Sequence, residues 1–237
     1  MTWSILAIDD STGRIGIAVA TRFFAVGARV PHIRSGVGAV ATQALINQSY
    51  GPLGLDLLAS GAAPDAALSA MVTKDPAHEH RQVHLMNAKG ESAAYTGAAC
   101  VNWCGRVAAR NLSVAGNMLT GEEVITATAD AFIAHADLPF ARRLLVAMMA
   151  GEAAGGDKRG KQSAALLVHD AGTAPIYDLR VDDHPDPLSE LSRLHAVSLT
   201  RYIHFRRAQA QLEGEGQPFD RTRLEQMIAQ SIAEGFE

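Results

Sequence analysis

Residues 2–22, TWSILAIDDSTGRIGIAVATR, hold two apolar runs separated by the turn-forming segment Asp9-Asp10-Ser11-Thr12-Gly13. They predict a β-hairpin that begins almost at the first residue. Trp3, Ile5 and Ala7 alternate with Ser4, Leu6 and Ile8, and Arg14 to Ala20 supplies the second run. Chain termini usually fray unless sheet pairing ties them down, so a strand at this position asks for a reason. Thr2 offers one. Methionine is trimmed when the next residue is small, and removal of Met1 would leave a threonine hydroxyl beside its own α-amino group. That amine titrates near pH ~8 and can serve as general base for the hydroxyl. While Met1 stays attached, no such amine exists. The competing reading makes Thr2 an ordinary strand residue.

Composition narrows the function classes. With 237 residues and 48% apolar side chains the chain has enough material for a sizeable core. A net charge of −4 argues against nucleic acid as partner. The two cysteines, Cys100 and Cys104, give neither a four-cysteine zinc site nor a secreted disulfide framework. The opening apolar run is interrupted after six residues by Asp9 and Asp10, so neither a signal peptide nor a membrane span is expected. The expectation is a cytoplasmic protein with no cofactor, no metal and no membrane partner.

Further along, 28–33 and 36–42 read as a third and fourth strand. Gly36, Gly38 and Ala41 match a GxGxxA dinucleotide fingerprint, with Asp56 as the ribose acid, but the strand before it is poor. Gln43 to Pro52 gathers Gln43, Asn47, Gln48, Ser49 and Tyr50, neutral groups that either read a polar substrate or satisfy a loop. Helices are expected over 53–60 and 64–73, and a hairpin over 82–87 and 91–96. His78, His80 and His84 read as solvated loop histidines rather than metal ligands. A strand pair over 101–115 leads to Asn117, a candidate oxyanion donor or a turn residue. Thr120 and Glu123 form a capping box for a helix over 121–135, followed by a second over 138–150.

Residues 155–168, GGDKRGKQSAALLV, are one residue short of a P-loop and stand in the reversed order, helix before and strand after. What remains is a glycine-flanked cluster of Asp157, Lys158, Arg159 and Lys161 entering a strand, either a site or a solvated patch. Asp182, Asp183 and His184 precede a helix that Asp186 and Pro187 open, and capping accounts for these acids better than a metal does. From residue 206 the charged chain reads as a linker with Gly214, Gly216 and Pro218, then an amphipathic helix over 221–233 that serves self-association in a homo-oligomer. The domain expectation is therefore 1–205 and a helical appendage, 206–237.

These blocks resemble a bacterial family of unknown precise function placed in the N-terminal-nucleophile (Ntn) hydrolase superfamily, relatives of proteasome β-subunits. The resemblance rests on TWSILA at 2–7, GIAVATRFFAVGARVP at 16–31, GVGAVATQALINQSYGPLGLDLL at 36–58, AGNML at 115–119, GGDKRGKQSAALLV at 155–168 and LRVDDHPDPLSEL at 179–191. It implies an α+β fold, a four-layer αββα sandwich of two stacked, largely antiparallel sheets with outer helices. It also implies Thr2 as nucleophile, with Arg22 orienting the terminus. The pattern departs in two places: proteasome-like relatives carry an Asp near the end of the second strand and a Lys in the third, where this chain has Val19 to Thr21 and Arg29. An arginine does not replace a lysine whose amine must shed its charge.

The reading that follows is hydrolysis of an amide in a small polar or peptide-like substrate. Thr2 attacks, Asn117 or a backbone amide near Gly36 to Gly38 holds the oxyanion, and Gln43, Asn47, Asp157, Lys158, Arg159 and Ser163 orient the substrate. The alternative is a catalytically inactive binding module of the same fold.

Overall fold

The computed structural model describes residues 2–172, 174–214, 216 and 220–237. Met1, on whose removal the amine of Thr2 depends, and Pro218 of the expected linker lie outside them. In chain order the elements are β1 (Thr2–Ile8), β2 (Ile15–Thr21), β3 (Pro31–Arg34), β4 (Gly38–Ala44), α1 (Tyr50–Ala59), α2 (Pro64–Thr73), β5 (Arg81–Asn87) and β6 (Ser92–Thr96). There follow β7 (Gly105–Ala109), β8 (Leu112–Asn117), α3 (Glu123–Ala134), α4 (Phe140–Ala153), β9 (Ser163–His169), β10 (Tyr177–Val181), α5 (Pro187–Ser198), α6 (Tyr202–Gly214) and α7 (Arg221–Ala233). No described helix is long and apolar enough to cross a membrane.

Every residue of β1 and β2 is buried. An antiparallel strand with no wet face must be covered on both sides, and a layered sandwich does this. A six-stranded sheet, β10-β9-β2-β1-β8-β7, stacks on a four-stranded one, β3-β4-β5-β6, with every pairing antiparallel. Helices α3 and α4 cover the outer face of the first sheet, α1 and α2 that of the second. The fold is thus α+β, a four-layer αββα sandwich. Gly16 shows how closely the outer layer sits: a Cβ there would lie 2.6 Å from Leu144 Cδ1 of α4.

Strand alternation sorts the layers. Val40, Val83 and Leu85 face outward onto Leu55, Leu58, Leu68 and Met71 of α1 and α2. Leu6, Ile8, Ile15, Ile17 and Val19 face inward onto Ala39, Ala41 and Met86 of the second sheet. Toward the start of β1 the inward positions turn polar: Thr2, Ser4, Thr21, Gln43, Gln82, His84, Ser113 and Asn117 are all buried. One end of the inter-sheet core is therefore hydrocarbon and the other a hydrogen-bonding layer.

Three readings of the sequence need correction, and the rejection of the dinucleotide fingerprint stands. His84 is a core residue of β5 at 0% exposure, not a loop histidine. The strand at Gly38 runs antiparallel between β3 and β5, which removes the parallel strand a dinucleotide fingerprint requires. Thr120 makes no cap to α3, because its backbone N–H and hydroxyl both turn to the carbonyl of Gly156. Residues 206–214 are helical within α6, where Ala208 and Leu212 pack with Leu224 and Ile228 of α7. The chain divides into one compact unit ending at Leu191 and a second, Ser192–Glu237, so α5 crosses the division.

Candidate active site at the start of β1

Register fixes the neighbours of Thr2. It pairs with Asn117 of β8 on one side, and on the other its hydroxyl lies 3.2 Å from that of Thr21 at the end of β2. Both threonines line a cleft of about 170 Å³ that opens between the sheets. Phe23, Val26 and Arg29 wall it from the segment after β2, and Ala44, Leu45 and Ile46 from the end of β4. Ala25, Ala44 and Met118 all hold left-handed backbone conformations, with φ of 54°, 66° and 58°. Such strain in non-glycine residues persists where surrounding structure over-determines it, and here it flanks one cleft.

Behind Thr2 the polar layer forms a connected chain whose donor order can be worked out. The carbonyls of Ala115 and Gly116 only accept, so they fix the amide nitrogens of Gln43 (3.1 Å) and Gln82 (2.8 Å). Gln43 Oε1 then accepts from the hydroxyl of Ser4 at 2.7 Å, and that hydroxyl accepts from His84 Nε2–H at 2.8 Å. Nδ1 of His84 is left to accept from Ser113 at 2.9 Å, and Ser113 in turn accepts from Arg106 Nε at 3.1 Å. Burial pushes the His84 imidazole down to about 3, helped by the positive charge of Arg106, so the ring is neutral as this order demands. At the other end Gln82 Oε1 accepts from Gln43 (2.8 Å) and from Asn117 Nδ2 (3.0 Å). The same Asn117 nitrogen reaches the carbonyl of Thr2 at 3.4 Å.

The site residues expected from sequence fall into three groups: the inner chain, the 157–163 segment with Arg22, and Asn47 on the opposite wall. Gln43 and Asn117 belong to this inner chain, and both N–H groups of Asn117 point to protein acceptors. The 157–163 segment lies beside the end of β2. The buried Asp157 carboxylate accepts from the backbone N–H groups of Arg22 and Arg159, each at 2.8 Å, and bridges to the Arg159 guanidinium at 3.2 Å. Arg22 Nη1 donates to the carbonyl of Arg159, and Lys158 Nζ to that of Asn102. Ser163 pairs with Thr21, which puts it two strands from Thr2, roughly 10 Å at ordinary strand spacing. Its hydroxyl donates to Phe23 O and accepts from Val26 N–H, bracing the turn that walls the cleft.

Asn47 braces the opposite wall by donating to Asp75 Oδ2 at 2.9 Å. Burial alone would raise the Asp75 carboxyl, but bonds from Arg81, Asn47 and the Ala77 N–H outweigh it and hold the group well below the usual carboxylate range. The Gly36–Gly38 segment is not at the site. Gly38 is the far end of β4 from Ala44, about 20 Å away at 3.3 Å per residue, so its amides cannot hold an oxyanion at Thr2. Sequence alone did not single out Ser4, Gln82 and Ser113 and put His84 in a loop, although their parity with Leu6, Met86 and Asn117 was available as a signal.

A family model described as a family of unknown function, DUF1028, matches residues 2–191. The chain belongs to this family. The match ends where the first compact unit ends, so the second unit lies outside the DUF1028 region. A DUF1028 protein from Silicibacter pomeroyi, seen in a crystal structure, is 36% identical, with a TM-score of 0.78 over 83% of this chain and 88% of that one. Anbu, described as an ancestral beta-subunit, from Yersinia bercovieri, is 10% identical with a TM-score of 0.40, over 84% of this chain and 95% of that one. No curated protein matches.

Proposed function

We propose that this DUF1028 chain is an Ntn-type hydrolase that cleaves an amide in a small polar or peptide-like substrate, with Thr2 as its N-terminal nucleophile. The observation that carries the reading is the placement of Thr2: first residue of a central strand, side chain inward, at the mouth of a cleft between two sheets. A free amine at this position stands next to its own hydroxyl and needs no separate base. In the first step Thr2 Oγ bonds to the substrate carbonyl carbon while its proton passes to the α-amine. The C–N bond then breaks, the leaving nitrogen takes that proton, and an acyl ester remains on Thr2. Water hydrolyses the ester by the same route in reverse, releasing a carboxylic acid.

Asn117 in this reading positions Thr2 through its carbonyl, and the oxyanion falls to a backbone N–H. Lys158 and Arg159 orient the exposed part of the substrate, while Arg22, Asp157 and Ser163 shape the wall. Thr21 takes the place at the end of β2 where proteasome-like relatives carry an acid, and its hydroxyl orients that of Thr2. The test is a panel of amides and dipeptides offered to chain lacking Met1. Turnover should fall at least about 10³-fold in Thr2→Ala, the scale of losing a nucleophile. Turnover that survives the substitution sinks the reading, and binding without any turnover favours the inactive module.

A further inference from the structure

The basic side chains on the segments that flank the cleft mostly have protein partners, Arg81 opposite Ala44 among them, which pairs with Asp75 at 2.9 Å. Arg22 and Lys158 donate to carbonyls, Arg159 pairs with Asp157, and Lys161 pairs with Glu152 at 2.9 Å and Asp186 at 3.2 Å. Arg29 differs. It lines the same cleft as Thr2, its guanidinium carbon stands 5.9 Å from the centroid of the Phe23 ring, and no carboxylate pairs with it among the described residues. A guanidinium held against an aromatic ring keeps its N–H groups available for a planar anion. The remaining wall, from Val26, Ala44, Leu45 and Ile46, is hydrocarbon.

We infer that the cleft takes an N-acylated apolar α-amino acid, with Arg29 as the partner of its carboxylate. The inference rests on Thr2 being the nucleophile. At about 170 Å³ the cleft is smaller than the roughly 300–1,000 Å³ of pockets that enclose whole drug-sized ligands. It therefore receives one compact end of a substrate, and that end must present an amide, a negative charge and an apolar group together. An α-amino acid carries its nitrogen, carboxylate and side chain on a single carbon. Its side chain meets Leu45 and Ile46, its carboxylate takes two parallel N–H bonds from the guanidinium fork, and its acylated nitrogen is the leaving group of the Thr2 reaction. A substrate charged positively at this end would meet Arg29 unscreened.

Isothermal titration of the full chain carrying Thr2→Ala, which cannot turn the probe over, tests this with N-acetylleucine and its uncharged counterpart N-acetylleucinamide. The acid should bind roughly ten- to hundredfold more tightly, the worth of hydrogen bonds to a charged group. Adding Arg29→Gln should bring the two affinities together. Equal affinities, an acid preference that survives Arg29→Gln, or no binding of either probe by about 10 mM overturns the inference. The acid-to-amide ratio is read with Arg29 intact, so it stands even if the second variant fails to fold. Acid preference without Thr2-dependent hydrolysis would sink the nucleophile reading alone, and Thr2-dependent hydrolysis of amides without acid preference would sink the Arg29 assignment alone.

Discussion

His84 sits between two serine hydroxyls in the fully buried space between the sheets, and its neutrality has a measurable consequence. Its folded value of about 3 lies below the ordinary histidine value of 6.5, so between the two the unfolded chain binds a proton that the folded chain refuses. The stability tied to this group is whole above pH ~6.5 and is lost as pH falls below it, at up to about 1.4 kcal/mol per pH unit. Urea unfolding should therefore show a decline between about pH 6 and 4, ahead of most carboxylate protonation. His84→Gln should cost about 1–3 kcal/mol at pH 7 by leaving Ser4 or Ser113 poorly satisfied, yet flatten that slope. An unchanged slope in the variant would show that His84 is not the group responsible.

At the scale of elements, the 155–162 loop is organised by one carboxylate rather than by its cations. Asp157 accepts two backbone N–H groups from segments 135 and 2 residues away in sequence, and Gln162 N–H adds a bond to the carbonyl of Thr21. Asp157→Ala should lower stability by about 1–3 kcal/mol, since it leaves two half-buried backbone N–H groups without their acceptor. Hydrogen exchange of the 155–162 amides should rise more than that of the central strands; a loss within about 0.5 kcal/mol would assign Asp157 to the surface instead. The same loop explains a failed expectation. Thr120 and Glu123 spell a capping box, but a local motif loses when the neighbouring chain offers Thr120 a tertiary partner in Gly156. Periodicity made α2 and α7 legible to the residue and most strands nearly so, because alternation and flanking proline or glycine act locally. It missed that 206–214 is helical, where the apolar stripe of Ala208 and Leu212 is short and surrounded by charge.

For the whole molecule, the sequence showed a hairpin at the front, and the structure shows what covers it on both faces. Alternation gives the parity of Ser4, Gln82 and His84, and the resemblance implies a second stacked sheet, but neither gives the register that brings these side chains together, and so the polar layer behind Thr2 was not legible. That layer ties β1 to β5 and β8 at the end where the cleft opens, while the opposite end of the inter-sheet core is held by hydrocarbon. The arrangement has a catalytic meaning only if Thr2 begins the mature chain. Untagged protein should be treated with a small peptide-like β-lactone, whose ring opens to an ester on an activated hydroxyl, and then analysed by intact mass and peptide mapping. The account predicts a chain lacking Met1 that carries one adduct, on Thr2. Retained Met1, or an adduct on any other residue with Thr2 unmodified, would contradict it.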